Sequence, residues 1–204
     1  MGKTMSGNKF ILASASPRRK ELLEQAGYIF DIVPSGVDEE SFKRAGLSPT
    51  GYTEKLAEAK AKVVAEDYPS IPVLGSDCIV ELGGEIFEKP QDEKDAERII
   101  KTLFSSPHYV ITSVALVLKA KGEQSVQTAV TKIHPARLTT EQIAHHISTG
   151  RWQGRAGGYG VQDPHTEEYI EKIEGSFTNV VGLPMELTSE MLKDFGITPE
   201  LQEN

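Results

Sequence analysis

The chain has 204 residues, enough to bury a sizeable core as one domain or as two closely joined lobes. It carries 22 Lys and Arg against 30 Asp and Glu, a formal charge of −8, which argues against a protein built mainly to hold a nucleic acid backbone. A single cysteine, Cys78, excludes an internal disulfide and a cysteine-cluster metal site, and no apolar run nears the ~20 residues of a membrane helix.

The N-terminus, MGKTMSGNKF, lacks the apolar core of a secretory signal, and Gly2 with Ser6 fits the loose myristoylation pattern. The lone thiol suits a reducing, cytoplasmic setting. KFILAS, residues 9–14, reads as a short buried strand. Ser16 and Pro17 then suit the cap and first position of a helix that ends near Gly27, and YIFDIV reads as a second strand. The turn-rich segment 34–51, PSGVDEESFKRAGLSPTG, reads as a surface connection.

TEKLAEAKAKVVAEDY predicts a helix with Leu56, Ala59 and Val63 on one face, closed by Pro69. In IPVLGSDCIVELGGEIFEKP a strand is expected to end near Gly75, followed by IVEL and EIF joined through Gly83 and Gly84 as a tight hairpin. DEKDAERIIKTLF predicts a second amphipathic helix with Ala96, Ile99, Ile100 and Leu103 on its apolar face. HYVITSVALVLKA and QSVQTAVTKIHPA predict a long antiparallel hairpin across KGE. Thr139 with Gln142 makes a capping box for a helix through Ile147, and another helix is expected after Pro184 through Phe195. The pattern is one α/β domain over residues 1–204, two lobes about a central cleft and a mixed sheet, without repeats or linkers.

Several residues carry candidate chemistry. Arg18 and Arg19 fall in the first turn of the helix that Pro17 begins, where the dipole disfavours cations by about 0.3–1 kcal/mol each. Either an anion sits there, held by unpaired N–H groups and guanidinium forks, or the turn is simply basic and solvated. Asp77 reads as a general base, a metal ligand or a turn cap. Glu39, in the run DEE, is a second oxygen donor for a hard divalent cation such as Mg²⁺ or part of a solvated face. Lys60 and Lys89 taken singly are ordinary surface lysines. Cys78 alone reads as a small buried hydrophobe. The glycine-rich stretch GRWQGRAGGYGVQ matches neither a P-loop nor GxGxxG, His145 and His146 lack metal spacing, and GxSxG is absent.

Four stretches in fixed order are more specific: LASASPRRKELL, GSDCIVELGGEIFEKP, LFSSPHYVITSVAL and RAGGYGVQ with EKIEGSFTNVVGLP. From about Phe10 to Phe195 the chain resembles the Maf family of nucleoside triphosphate pyrophosphatases. The resemblance implies a mixed α/β fold of the inosine triphosphate pyrophosphatase (Maf/Ham1) type, an elongated central sheet flanked by helices, usually as a homodimer. It implies hydrolysis between the α and β phosphates to a monophosphate and pyrophosphate, aided by a divalent metal (Mg²⁺, Mn²⁺ or Co²⁺). By position, Asp77 would be the catalytic acid/base and, with Glu39, would hold the metal. Ser14, Arg18, Arg19, Lys60 and Lys89 would hold the polyphosphate.

SPRR and AGGYGVQ resemble the dTTP/UTP branch, which makes Arg18 and Gln162 base-side residues. Cys78 stands where that branch usually has threonine, and Asp163 to His165 replace a glycine-rich stretch, so Cys78 also bears on base choice. Modified or purine nucleotides such as 7-methyl-GTP, and a non-catalytic nucleotide-binding regulator of cell division, are the alternative readings. Neither nucleic acid nor membrane is an expected partner.

Overall fold

The structure, a computed structural model, describes residues 9–43, 46–163 and 166–200. The MGKTMS motif and residues 164–165 of the DPH segment lie outside the described residues.

The first strand, β1 (Lys9–Leu12), is followed by α1 (Pro17–Gln25), with Ser16 at the cap position and Pro17 opening the helix. The cap hydroxyl of Ser16 makes no capping bond. Strand β2 (Ile29–Ile32) returns parallel to β1. The segment read as a plain connection contains a single turn, α2 (Glu40–Lys43), and the start of α3 (Pro49–Asp67), which Ser48 caps through Gly51 N–H. The tenth residue of β3 (Val73–Leu82) leads through the Gly83–Gly84 turn into β4 (Glu85–Phe87).

Helix α4 (Glu93–Leu103) buries Ala96, Ile99, Ile100 and Leu103, the face its periodicity predicts. The long hairpin β5 (His108–Leu118) and β6 (Glu123–Pro135) is antiparallel, as expected. Helix α5 (Thr140–Ser148) carries the Thr139–Gln142 capping box, and β7 (Ile170–Glu174), α6 (Phe177–Val181) and α7 (Met185–Asp194) complete the described elements. The sheet order is β2-β1-β3-β5-β6-β7, with β4 joined to β3, so this is a mixed α/β fold with a central sheet flanked by helices.

On one face α3 packs Ala57, Ala61, Val64 and Ala65 against Ile11, Val73, Ala115 and Val117. On the other, α1, α4 and α7 cover Phe10, Leu12, Leu74, Val80 and Leu116. The buried side of α3 is therefore not the Leu56–Ala59–Val63 stripe: Leu56 is buried, whereas Val63 is 44% exposed. Gly75 decides which stripe docks. A Cβ there would lie 2.7 Å from Ala61 N and 3.0 Å from Ala61 Cβ, so only glycine lets the α3 backbone come this close to the sheet.

Gly75 also fails to end its strand. Strand β3 continues for ten residues because β5 pairs with it from Val73 to Glu81. Its other edge is shared: β1 pairs at Val73 and Leu74, and β4 begins at Val80. Among the described residues no strand covers that edge in between, so Asp77 lies mid-strand beside an open edge rather than at a strand end.

Candidate active site

A cleft of ≈ 740 Å³ wraps around this open edge. Strand pleating divides its floor. Gly75, Asp77 and Ile79 face α3, and Cys78 and Val80 face the opposite helical layer.

On the α3 side the close seat at Gly75 brings Lys60 over Asp77. Lys60 Nζ donates to Asp77 Oδ1 at 2.8 Å and meets Glu39 Oε1 at 2.7 Å. Lys60 and Asp77 are buried, whereas the Glu39 side chain is 48% exposed. Burial raises the Glu39 pKa, but the Lys60 hydrogen bond and the charges of Lys60, Lys89 and Arg19 outweigh it and leave the carboxyl below its ordinary value. Tyr52 donates to Glu88 Oε1 at 3.1 Å; burial first, then the charges of Glu88, Asp77 and Glu39, push its phenol well above the usual range. This end of the cleft therefore combines three carboxylates with the Lys60 ammonium, and Lys89 lines it from the exposed side.

The start of α1 forms the rim. Ser14 Oγ accepts from Ser16 N–H at 3.2 Å and from Arg19 Nη1 at 3.1 Å, which leaves its own proton to donate. Arg19 also donates from Nη1 to Ser76 O at 2.8 Å and from Nε to Gly182 O at 3.0 Å. These three bonds tie α1 to β3 and to the end of α6, and none of them uses the Nη2 protons of this cleft-lining residue. Adjacent arginines thus have different surroundings. Arg18 is half-buried, and its pKa is lowered by burial and then by the charge of Arg155.

Cys78 is half-buried and lines the cleft, so it is not simply core. Burial pushes its thiol up. Beside it stands Tyr159, whose hydroxyl meets His108 Nε2 at 2.6 Å, while His108 Nδ1 lies 2.9 Å from Leu103 O. The carbonyl fixes Nδ1 as the donor, so Nε2 accepts from Tyr159, and burial holds the His108 pKa below its ordinary value.

The structure gathers Ser14, Arg18, Arg19, Glu39, Lys60, Asp77, Cys78 and Lys89 around one cleft. Gln162 stands exposed on the turn after Gly160 and does not line it. Sequence reasoning missed Tyr52, Glu88, Arg155 and Tyr159. Of these, Glu88 sits next to Lys89 in sequence, and Arg155 and Tyr159 lie within the glycine-rich stretch.

The profile of the family described as Maf-like protein matches residues 9–195. The chain belongs to this Maf family. The dTTP/UTP pyrophosphatase of Citrifermentans bemidjiense is 41% identical over 181 residues, 89% of this chain and 92% of that protein. The dTTP/UTP pyrophosphatase of Elusimicrobium minutum is 42% identical over 188 residues, covering 92% and 99% of the two chains. That of Koribacter versatilis is 40% identical over 191 residues, covering 94% and 96%. Among solved structures, a HAM1 protein from Coxiella burnetii aligns with a TM-score of 0.41 and 12% identity over 64% of this Maf chain and 74% of that one.

Proposed function

We propose that this Maf protein hydrolyses dTTP and UTP at the α–β phosphate bond, releasing the nucleoside monophosphate and pyrophosphate and so clearing unwanted nucleotides from the precursor pool. The observation that carries the reading is 40–42% identity, over roughly nine-tenths of the chain, to proteins named dTTP/UTP pyrophosphatase. The cleft supplies the matching chemistry. Phosphate oxygens meet the Ser14 hydroxyl, the free N–H groups of the first turn of α1, the Nη2 protons of Arg19 and the Lys89 ammonium. Arg18 and Cys78 face the base.

Asp77 orients the attacking water and takes its proton as oxygen bonds to the α-phosphorus, and the bridging bond to the β-phosphate breaks. The leaving pyrophosphate gathers negative charge against these cations. The net charge of −8 does not prevent this, because surface charges beyond ~8–10 Å are screened.

Glu39 and Asp77 would hold a divalent cation, Mg²⁺, Mn²⁺ or Co²⁺. The donor chemistry fits: each carboxylate gives one oxygen to Lys60 Nζ, at 2.7 and 2.8 Å, and keeps its second hard oxygen for a cation beside the ammonium. When bound, such an ion supplies charge neutralisation at the polyphosphate. A homodimer and a cytoplasmic location belong to the same proposal, and light scattering and fractionation test them. Among the described residues no helix is long and apolar enough to cross a membrane.

The decisive experiment is a nucleotide panel with Mg²⁺ or Mn²⁺, read as pyrophosphate release. Turnover of dTTP and UTP ahead of GTP and 7-methyl-GTP is expected, with loss on chelation and recovery on adding metal back. Release of orthophosphate, a purine preference or no turnover overturns the proposal.

A further inference from the structure

The opposite end of the cleft from Lys60 holds a cation to which the proposed chemistry gives no task. Arg155 lines the cleft with its side chain 20% exposed, and its Nη1 is ion-paired with Asp163, itself 14% exposed. The backbone is shaped around this pair. A Cβ on Gly160 would fall 2.9 Å from Arg155 Cζ and 3.3 Å from Asp163 Oδ2, so the guanidinium lies where a larger residue at 160 would stand. The same stretch packs on the Val80 face of β3, because a Cβ on Gly157 would lie 2.8 Å from Val80 Cγ2. That is the face of Cys78, away from Lys60.

Arg18 approaches from α1, and Arg155, Asp163 and Cys78 are the charged or ionisable groups that act most on it. Two guanidiniums, one of them paired with the Asp163 carboxylate, thus line the cleft together with a half-buried thiol and a tyrosine whose hydroxyl is already engaged by His108. A guanidinium has only donors, five of them, and the Asp163 bond engages Nη1. The group that best fills this end is one rich in acceptors. Uracil and thymine present two ring carbonyl oxygens; cytosine replaces one with an amino donor, which would set N–H against N–H.

We propose that Arg155 is a further specificity residue, donating from its guanidinium to the 4-carbonyl oxygen of a uracil or thymine base, the one that cytosine lacks, and that Asp163 is a positioning residue that holds it there. The assignment rests on the proposed pyrophosphatase reading and deepens it. A hydrogen bond involving a charged group is worth enough that its loss weakens a matching substrate about tenfold or more.

The test is kcat/KM for UTP, dTTP and CTP with wild type, Arg155→Met, Arg155→Lys and Asp163→Asn, alongside thermal unfolding of each. Arg155→Met is expected to lower the UTP-to-CTP and dTTP-to-CTP ratios at least tenfold. Asp163→Asn lowers them in the same direction by a smaller factor, an effect that a purely structural role for Asp163 would not produce. Arg155→Lys keeps the charge without the fork and gives an intermediate ratio; it decides the matter if the methionine variant does not fold. Equal losses on all three nucleotides would assign Arg155 to the phosphates and overturn the proposal, as would unchanged ratios. If wild type turns over none of the three, the pyrophosphatase reading has failed; if it prefers UTP and dTTP while the variants keep that preference, only the role of Arg155 has.

Discussion

Replacing Gly75 with alanine drives a methyl group into the backbone of α3. The new Cβ runs into the Ala57 carbonyl oxygen and stands 2.7 Å from Ala61 N, where ordinary contact begins at 3.4 Å, so helix and strand must separate by more than 0.7 Å. Backbone cannot swing aside as a side chain can, and overpacking of this kind costs about 1–3 kcal/mol. Alanine returns roughly 0.5–1 kcal/mol by restricting the unfolded chain. The net expectation is about 1–2 kcal/mol of destabilisation, or a Tm lower by roughly 2–8 °C for a chain of this size. The same displacement lengthens the 2.8 Å contact from Lys60 Nζ to Asp77 Oδ1 beyond good hydrogen-bonding distance, so kcat/KM for UTP should fall together with Tm. Differential scanning calorimetry and pyrophosphate release measure the two losses. A Gly75→Ala protein as stable and as active as wild type would mean that α3 is not seated on this glycine.

Three further expectations separate roles within the cleft. Asp77→Asn should lower kcat by about 10²–10⁴, and a residual rate within a few-fold of wild type would remove Asp77 from the chemistry. Arg19→Ala breaks three hydrogen bonds and strands the carbonyls of Ser76 and Gly182; it should cost about 2–3 kcal/mol, whereas Arg18→Ala should barely move Tm but change the nucleotide ranking. Equal thermal shifts for the two arginine variants would contradict that division. His108 is neutral in the folded state with its pKa below 6.5, so the unfolded chain binds more protons there: its contribution is complete above about pH 6.5 and is lost as pH falls. His108→Gln should therefore flatten the decline in Tm between pH 7.5 and 5.5, and parallel pH profiles would exclude this histidine as the source.

Elements whose local signals agree were legible in the sequence. Helix α4 has a cap at Asp92 and one apolar stripe, and the Thr139–Gln142 box announces α5. Helix α3 offers alanines at positions 57, 59, 61 and 65, so its spacing fits more than one stripe, and only the contact with Gly75 selects Ala57 and Ala61. Once that stripe is known, Lys60 falls on the buried face, which is the physical signal of its role. Gly75 reads as a strand breaker in isolation because its purpose, admitting another backbone, lies 14 residues away at Ala61. Glu39, Lys60 and Asp77 were each ambiguous taken alone; their shared ion-pair cluster exists only in three dimensions. Arg155 opens the RAGGYGVQ stretch but escaped notice because a lone arginine there has no visible partner: the carboxylate that fixes it comes eight residues later across a glycine-shaped turn.

The pleat of β3 has a consequence for how such a protein can diverge. Asp77 and Cys78 are neighbours in the chain but project to opposite sides of the sheet, one toward the lysine and carboxylates and the other toward the arginines and Tyr159. A point substitution at position 78 therefore alters the side to which the proposal assigns the base and leaves the Lys60–Asp77 side untouched. An insertion or deletion of one residue upstream in the strand would exchange the two and abolish both. Selectivity is in this sense free to drift by single substitutions while the hydrolytic centre stays fixed, and the length of the strand, more than any one side chain, is what descent must preserve.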